Sequence, residues 1–307
     1  MPKIDYLPDL KEVEIKEGES ILHAGVRAKI PHAHICGGHG RCSTCRVVIL
    51  KGLEHCRPRT PQEEAIAQQL QFDPTIRLAC QTRVTGDVTL RRLVLDDEDV
   101  ELSSLFIRGV EPRAVGVEKH VLILFADIIG FTPFAEHLLP YDVIHILNRY
   151  FHIVGKVIGR HGGRVDTYMG DGFMALFESV DPMEGSLRAI RAGLELLTAV
   201  DNFGPYLQEL YQRRFHIRLG LHFGQVVAGD LGVPGNKKMT VIGDAVNFAS
   251  RIETANKQAG TQFLISEDTY ALVKNHVRVG RSVRVTLPGK TGEYSLYEVT
   301  GLVNTPA

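Results

Sequence analysis

The cysteines of this chain are distributed very unevenly along its length. All five lie within the first 80 of 307 residues, and three of them, Cys36, Cys42 and Cys45, fall within ten positions. A disulfide framework would spread its cysteines through a small secreted domain. Three thiols in one loop are instead typical of a metal centre. Since the chain is long for a single domain, the pattern predicts a metal-binding first domain followed by a different second one.

Composition and charge exclude several classes of protein. With 44% apolar and 23% charged residues, the chain has the composition of an ordinary globular protein. Its formal net charge of −1 supports neither a nucleic-acid nor a membrane-surface role. No apolar stretch approaches the roughly 20 residues that a spanning helix needs, and no apolar core follows Lys3 to form a signal peptide. We therefore expect a cytoplasmic protein without nucleic-acid or membrane partners.

The first segment, residues 1–95, has strand-like runs near both ends and a long glycine-rich loop between them. The run from Asp9 to Ile15 alternates in polarity, and the run from Cys45 to Leu50 is strongly β-prone. The run from Asp87 to Val94 closes the segment. Pro61 is placed to open a short helix.

An acidic run separates this segment from the rest of the chain. Residues 96–101 carry five acids in six positions. Because the segments on its two sides are dissimilar, we interpret the run as part of a solvated linker over residues 96–118. The second domain is then expected over residues 119–300.

From residue 119 the predicted elements follow the order strand, helix, strand, strand, helix, strand. The apolar run from Val121 to Phe125 is expected to be a strand buried on both faces. A hairpin is predicted from residues 164–169 and 172–177, and a fourth strand from residues 215–221. Helical spacing marks two buried helix faces: Val143, Ile144, Leu147, Phe151, Val154 and Ile158, then Leu187, Ile190, Leu194 and Leu197. This order is the ferredoxin-like (βαββαβ) arrangement, so the predicted fold class is α+β.

The cysteine spacing is informative about the kind of metal centre. The loop reads Cys36-x5-Cys42-x2-Cys45, and Cys80 follows 35 positions later. A [2Fe-2S] cluster takes four thiolates and needs hydrogen-bond donors for its sulfides, which the backbone of a glycine-rich loop can bring close. The segment resembles the [2Fe-2S] ferredoxin family, with a spacing nearer the adrenodoxin-like than the plant type. The resemblance implies a β-grasp fold and a cluster ligated by Cys36, Cys42, Cys45 and Cys80.

Other arrangements of these residues remain open. A zinc site or free thiols are one alternative, although zinc sites usually bring cysteines in two CxxC-like pairs. A histidine ligand, as in Rieske centres, is another, with His32, His34 and His39 nearby. Cys56 is interpreted as a thiol outside the cluster.

Two aspartates of the second domain stand at the ends of predicted strands. Asp127 ends the apolar run that begins at Val121, and Asp171 lies in a glycine-flanked turn after Met169. An aspartate after a strand can simply cap a turn. Mg²⁺, however, prefers one or two carboxylates together with phosphate oxygens and water. Two carboxylates at neighbouring strand ends therefore predict a pair of divalent ions facing a triphosphate.

A third motif completes a family pattern. It reads Gly-Asp-Ala-Val-Asn247-Phe-Ala-Ser-Arg251, and with it residues 118–300 resemble the catalytic domain of class III nucleotidyl cyclases. In that family a ribose 3′-hydroxyl attacks the α-phosphate of the same nucleotide and pyrophosphate leaves. The resemblance implies that Asp127, Asp171 and the backbone carbonyl of Ile128 bind two Mg²⁺ (or Mn²⁺) ions. It implies that the pair Asn247 and Arg251 orients the ribose and stabilises charge on the α-phosphate.

The same resemblance implies further phosphate contacts. The amides at the start of a predicted helix suit the β- and γ-phosphates; they belong to Gly130, Phe131 and Thr132. Arg218 matches a phosphate-binding arginine of the family. The lysine expected before Gly289 is replaced by Pro288, and Lys290 is the candidate substitute.

Family sites are composite. The metal-binding aspartates come from one subunit and the Asn/Arg pair from the other. This chain carries both halves, so the resemblance implies a homodimer with two equivalent sites about a two-fold axis.

Two positions bear on which base is bound. Adenylate-specific members have a lysine that reads adenine N1 where Thr167 stands, and guanylate cyclases have a glutamate there. The partner position is Thr240, and a threonine there is common in bacterial adenylate cyclases. A threonine hydroxyl can donate or accept, so Thr167 alone does not decide the base. We expect ATP as the substrate, with a guanylate or mixed-specificity cyclase as the alternative.

The sequence as a whole predicts an adenylate cyclase fused to a [2Fe-2S] domain. We expect the redox state of the cluster, set by an unidentified electron donor, to regulate cyclisation. Basal activity should be low, since Thr167 and Pro288 replace charged contacts. The rival interpretation is a redox protein whose degenerate cyclase domain serves for dimerisation or nucleotide sensing.

Overall fold

The computed structural model describes residues 1–93, 116–233 and 236–303. The chain divides into two compact units, the first ending at Val117 and the second beginning at Glu118. The acidic run and most of the predicted linker lie outside the described residues. The last three linker positions, 116–118, are already part of a strand.

The first unit is a five-stranded sheet with a helix packed on it. The sheet order is β2-β1-β5-β3-β4, in which β1 runs parallel to β5 and the other pairs are antiparallel. This is the predicted β-grasp fold. Its elements are β1 (Lys3–Leu7), β2 (Lys11–Glu14), α1 (Ile21–Arg27), β3 (Arg46–Lys51), α2 (Pro61–Gln69), β4 (Ile76–Leu78) and β5 (Val88–Arg92).

Helix starts in this unit follow their capping residues. Ser20 accepts a hydrogen bond from the His23 amide at the start of α1, and Thr60 caps α2 with Pro61 in its first turn. The core beneath α1 joins alternate residues of the strands to two of the cysteines, Cys45 and Cys80. The metal-binding loop is therefore anchored in the hydrophobic core.

The second unit contains the predicted ferredoxin-like arrangement with additions. Its sheet order is β12-β13-β11-β9-β6-β8-β7, and β10 pairs with β9. Its strands are β6 (Gly116–Ile128), β7 (Arg164–Met169), β8 (Gly172–Phe177), β9 (Ile217–Val233), β10 (Asn236–Ile242), β11 (Phe263–Ser266), β12 (Val277–Thr286) and β13 (Glu293–Leu302). Its helices are α3 (Phe131–Ala135), α4 (Pro140–Arg160), α5 (Pro182–Tyr211), α6 (Asp244–Ala259) and α7 (Glu267–Val273).

Strand β6 is buried on both faces, as its apolar run predicts. Leu122 and Leu124 pack into the core with α4 and α5. Val121 and Ile123 pack on the other face, against residues of α6. Since successive side chains of a strand point to opposite faces, helices on both sides of the sheet explain the unbroken apolar sequence.

The buried face of α4 differs from the predicted one. Residues Ile146, Tyr150, Val154 and Ile158 form the buried stripe, whereas Ile144 was predicted to be buried and is 56% exposed. The stripe follows steps of four residues from Ile146, which turns Ile144 away from the sheet. No helix within the described residues is long and apolar enough to span a membrane.

Candidate functional site

The sheet brings Asp127 and Asp171 together. Strands β6 and β8 are antiparallel, with Ala126 paired to Phe173, so the end of β6 lies beside the turn that precedes β8. The approach is close because residue 172 is glycine: a Cβ there would lie 2.8 Å from the Ala126 carbonyl oxygen. The strand end is also fixed by the Ile129 amide, which donates to the His216 carbonyl at 2.8 Å.

The electrostatics of this pair favour a cation. Burial and the neighbouring Asp127 carboxylate raise the pKa of Asp171 to about 6, although the Ile128 amide donates to the Asp171 carboxylate. Two like charges held this close are relieved by a divalent ion. Within the described residues no third metal-ligating side chain joins this aspartate pair, so further ligands would be phosphate, water or a backbone carbonyl. Ile128 is predicted to supply that carbonyl.

Arg218 lies beside these carboxylates and is held by a residue that the sequence analysis missed. Its Nη2 is 3.8 Å from Asp127 Oδ2, and its Nε donates to Glu253 Oε1 at 3.2 Å. Its side chain is only 16% exposed, so it is not a solvated surface arginine. Burial, followed by the charge of Asp127, raises the pKa of Glu253.

Helix α6 separates Glu253 from the predicted catalytic pair. Gly220 on β9 lets the helix approach, since a Cβ there would lie 2.2 Å from the Glu253 amide nitrogen. Arg251 is two residues from Glu253, or about 200° around the helix, and Asn247 shares its face. In the described part of the chain, the side chains of Asn247 and Arg251 form no hydrogen bond or ion pair with another residue. Both are therefore free to contact a ligand or a second chain.

The predicted phosphate contacts other than Arg218 are found in two places. Lys290 pairs with Asp244 at the start of α6, and its Nζ lies 5.5 Å from the centre of the Phe248 ring. These residues line an open cleft of about 800 Å³. The other place is the start of α3, which follows β6 directly. There Gly130 adopts the left-handed conformation (φ 71°), and no side chain caps the helix that begins at Phe131 and Thr132.

The two predicted base-specificity residues meet on one carboxylate. Thr240 on β10 donates to Asp166 Oδ2 at 2.8 Å, and Thr167 on β7 donates to the same oxygen at 3.1 Å. Lys238 Nζ donates to Thr167 Oγ1 at 2.6 Å. The structure thus places Thr167 and Thr240 side by side. The sequence analysis missed both Asp166 and Lys238.

The four predicted cluster ligands fall into two pairs. The sulfurs of Cys45 and Cys80 are 3.5 Å apart, and Cys36 lies within hydrogen-bonding distance of Cys42. Two thiolates on one tetrahedral ion with metal–sulfur bonds near 2.3 Å would be about 3.8 Å apart. Two such pairs suit the two irons of a [2Fe-2S] cluster.

Hydrogen-bond donors converge on these sulfurs. A hydrogen bond from Cys42, followed by the amides of Arg41, His39 and Gly38, lowers the pKa of Cys36 to about 4. Gln81 Nε2 lies 3.5 Å from Cys80 Sγ, and the pKa of Cys80 is lowered. One thiol of each pair is therefore stabilised as a thiolate before any metal binds, whereas the hydrogen bond to that thiolate raises the pKa of its partner, Cys42 or Cys45. Positive φ angles at three loop glycines give the backbone this path: Gly37, Gly38 and Gly40.

Three other candidates of the first unit, two histidines and the fifth cysteine, contact backbone carbonyl oxygens. His32 Nε2 is 3.3 Å from the Cys45 carbonyl oxygen, and His34 Nδ1 lies 2.5 Å from the His32 carbonyl oxygen. Cys56 Sγ lies 3.8 Å from the Gly52 carbonyl oxygen. The residues present at the four-cysteine loop fit a [2Fe-2S] cluster.

Comparison with known families identifies both domains. The family described as the adenylate and guanylate cyclase catalytic domain matches residues 115–301. The 2Fe-2S iron–sulfur cluster binding domain matches residues 6–85. The chain belongs to the adenylate and guanylate cyclase family, and it carries a 2Fe-2S domain before the cyclase domain. The predicted fusion and the α+β fold class are confirmed.

The similar proteins include cyclases for both bases. An adenylate cyclase of Anabaena cylindrica is 35% identical over 213 residues, which are 64% of this chain and 40% of that protein. Adenylate cyclase 1 of Rhizobium meliloti (strain 1021) is 30% identical over 186 residues, 60% of this chain and 28% of that protein. The chain therefore spans less than half the length of these relatives.

Two crystal structures resemble the second unit. The guanylyl cyclase Cya2 has a TM-score of 0.57 and 30% identity, over 62% of this chain and 95% of that one. The adenylyl cyclase CyaB from P. aeruginosa has a TM-score of 0.56 and 25% identity, over 60% of this chain and 95% of that one.

Proposed function

We propose that this chain is an adenylate cyclase that converts ATP to 3′,5′-cyclic AMP and pyrophosphate. The observation that carries the proposal is the carboxylate pair of Asp127 and Asp171, held together at adjoining strand ends, with the pKa of Asp171 raised to about 6 by burial and by Asp127. Such a pair is suited to bind divalent metal ions. When bound, Mg²⁺ or Mn²⁺ would neutralise phosphate charge and orient the triphosphate.

The active site is proposed to be shared between two copies of the chain. Asp127 lies near Arg218, which is bonded to Glu253 on the buried face of α6. Asn247 and Arg251 lie on the opposite face of that helix. One copy cannot direct both groups at the same nucleotide, whereas a two-fold dimer offers each aspartate pair the Asn/Arg pair of its partner.

In this arrangement each side chain has a defined role. Asp127 and Asp171, with the Ile128 carbonyl, would hold the divalent ions that bind the triphosphate. Asn247 of the second copy orients the ribose so that its 3′-oxygen faces the α-phosphorus. The 3′-oxygen–phosphorus bond forms as the bond to pyrophosphate breaks, and the hydroxyl proton is lost to solvent. Arg251 stabilises the charge that develops on the α-phosphate oxygens.

The outer phosphates are proposed to bind to cationic and amide groups. Arg218 is held in place by Glu253, and Lys290 lies over the ring of Phe248. The amides that follow Gly130 remain predicted contacts. Pyrophosphate is a charged leaving group, so these contacts favour its departure as well as substrate binding.

ATP is favoured as the substrate. The relatives from Anabaena cylindrica and Rhizobium meliloti are both named adenylate cyclases, and Thr240 is a residue common in bacterial adenylate cyclases. The likeness to the guanylyl cyclase Cya2 supports GTP or mixed use as the second candidate.

A direct assay tests the proposal. The purified chain is incubated with ATP or GTP and with Mg²⁺ or Mn²⁺, and the cyclic product is measured by chromatography. We expect cyclic AMP as the main product and its loss in Asp127→Asn. Cyclic GMP as the main product would support the second candidate. No cyclic product from either nucleotide would refute the enzyme proposal and favour a redox protein with a nucleotide-sensing domain.

We further propose that the iron–sulfur domain regulates the cyclase. This regulatory role is proposed because an electron-transfer domain is attached to an enzyme whose reaction moves no electrons. The cluster would exchange one electron with a donor protein, and the change of charge would bias the dimer. Cyclase rates of oxidised and dithionite-reduced protein should differ, and a Cys56→Ser variant should keep the difference. Equal rates in the two states would end this idea.

A further inference from the structure

The corner that holds Thr167 and Thr240 contains a buried carboxylate. Strand β7 has an irregularity at this point, since Val165 pairs with Ala175 while Thr167 pairs with Met174. The inserted residue is Asp166, and its side chain is 0% exposed. Burying a carboxylate is costly unless it is paired and hydrogen-bonded, so its contacts indicate what it does.

The two oxygens of Asp166 have different partners. Oδ1 accepts a hydrogen bond from Arg164 Nη1 at 2.6 Å. Oδ2 accepts from both threonines, at 2.8 Å from Thr240 Oγ1 and 3.1 Å from Thr167 Oγ1. A carboxylate in this network only accepts, and each threonine has one hydroxyl proton. Both threonine protons therefore point inward, toward Asp166.

This fixes what the corner can offer to a ligand. The hydroxyl of Thr240 already donates its proton to Asp166, so it can only accept a hydrogen bond from a ligand. Thr167 accepts from Lys238 Nζ at 2.6 Å, and an ammonium group has two further N–H donors. Lys238 and Thr240 lie two residues apart on β10, so they share a face of the strand. The corner presents a cationic donor beside a neutral acceptor.

The acceptor and donor of adenine are complementary to this donor and acceptor, whereas those of guanine are in the reverse order. Adenine accepts at N1 and donates from its 6-amino group, whereas guanine donates at N1 and accepts at its 6-carbonyl. The ammonium of Lys238 contacts the residue that stands where adenylate-specific cyclases have their N1-reading lysine. In that register Thr240 meets the 6-substituent, and a guanine carbonyl there would face only lone pairs.

We propose that Asp166 and Lys238 determine the base preference of this cyclase for ATP. Lys238 donates to adenine N1 from β10, and Asp166 positions the Thr240 hydroxyl to accept from the 6-amino group. Asp166 acts through the threonines and is a positioning residue. This inference depends on the proposed nucleotide cyclase function and adds the residues that select its substrate.

An isosteric substitution reverses the predicted polarity. In Asp166→Asn the amide oxygen would stay on the Arg164 side, because an amide N–H cannot accept from guanidinium. The two amide N–H groups then point at the two threonines and turn their protons outward. Thr240 becomes a donor that suits the guanine carbonyl.

The experiment measures kcat/KM for ATP and for GTP in the full-length protein. We expect Asp166→Asn to lower the ATP-to-GTP ratio about 10-fold or more, as reversing one hydrogen bond can. Lys238→Gln, a substitution at an exposed position, should also lower the ATP-to-GTP ratio. It tests the inference if Asp166→Asn does not fold. Lys237→Gln is the matched control, since strand alternation puts it on the opposite face, and it should leave the ratio within about twofold.

A second readout separates this inference from the proposed function. Affinities for 3′-deoxy-ATP and 3′-deoxy-GTP, which lack the attacking hydroxyl, are measured by competition for each variant. The unsubstituted protein could bind the adenine analogue selectively, lose that selectivity in both variants, and yet form no cyclic product. That result would refute the proposed enzyme and support the base-reading role. An unchanged ratio, or an equal loss with both nucleotides, would show a merely structural role and overturn the inference. Failure of the unsubstituted protein to bind either analogue would also overturn it.

Discussion

The two candidate sites of this chain are built in opposite ways. The cysteine site comes from one loop and the turn after β4, and one unit alone brings four thiols into two pairs. The proposed active site is divided by helix α6. Its buried face carries Glu253, which leads through Arg218 to Asp127, while Asn247 and Arg251 point the other way. The first site needs only its own fold, whereas the second is proposed to need another copy of the chain.

Their electrostatics differ in the same sense. A hydrogen bond from Cys42, and then backbone amides, lowers the pKa of Cys36 to about 4, while the same hydrogen bond raises the pKa of Cys42, so one thiol of this pair is stabilised as a thiolate before a cluster binds. Burial and Asp127 raise the pKa of Asp171 to about 6, so the carboxylate pair is strained until a cation arrives. The cysteine site is thus stabilised in part by backbone amides of its own loop before a ligand binds. The aspartate pair keeps the repulsion between two neighbouring carboxylates until a cation binds.

The largest expected effect is on the carboxylate pair. Asp171→Asn should reduce cyclase activity about 10³-fold, since it removes a proposed metal ligand at the reacting phosphates. The same change should raise the melting temperature of the metal-free protein at pH 8, by about 2 °C or more. It removes one of two adjacent negative charges.

The pH dependence has a definite sign. The folded-state pKa of Asp171 is raised from 3.8 to about 6, so its stabilising contribution is fully present below pH 4 and is lost as the pH rises through 6. The gain in melting temperature of Asp171→Asn should therefore appear at pH 8 and vanish at pH 4. Thermal unfolding in a chelating buffer at both values provides the check. A variant that is less stable at pH 8 would contradict the idea of strain in this pair.

The next effect tests whether the active site is divided between chains. Asp127→Asn and Arg251→Ala should each lower activity at least about 10²-fold. Mixed and reassociated in equal amounts, they should recover about a quarter of the unsubstituted activity. Half of the dimers would be mixed, and each of these would have one intact site of two. A mixture of Asp127→Asn with Asp171→Asn is the control and should recover nothing, because both changes damage the same half. Recovery there, or none in the first mixture, would argue against a shared site.

The local site should respond differently. Cys45→Ser should abolish the iron and acid-labile sulfide content, together with the visible absorption of the cluster, since each iron needs two thiolates. Cys56→Ser is the matched control and should retain both, because its sulfur lies beside the Gly52 carbonyl instead. No mixing of chains should rescue Cys45→Ser, in contrast to the active-site variants. Equal iron loss from both variants would show that the ligand assignment is wrong.

Residues that depend on local pattern could be predicted from the sequence. Asp127 and Asp171 stand at strand ends, and the cysteine spacing lies within one loop apart from Cys80. The hairpin of β7 and β8 has the predicted bounds. In contrast, the burial of Ile144 was predicted wrongly, because the apolar residues of α4 fit two helical phases and only packing against the sheet selects one.

What could not be predicted depends on contacts between distant positions. Glu253 reaches Arg218 across 35 positions, Thr240 reaches Asp166 across 74, and Lys238 reaches Thr167 across 71. Each of these residues has an ordinary local context in a helix or strand. Their roles follow from side-chain contacts between β10 and β7, which are not paired in the sheet, and from the approach of α6 to β9, and no short motif encodes either.

The smallest expected effect concerns the link between the two faces of α6. Glu253→Gln removes the charge that holds Arg218 but keeps a hydrogen-bond acceptor, so we expect KM for ATP to rise about threefold to tenfold with little change in kcat. Glu209→Gln removes an equal charge from an exposed position of α5 and should leave both constants unchanged. If Glu253 acted only by packing, Glu253→Gln and Glu209→Gln would differ from each other in stability but would have the same KM. If kcat fell as steeply as in Arg251→Ala, the buried face would take part in the chemical step itself, and the division of α6 into a positioning face and a reacting face would fail.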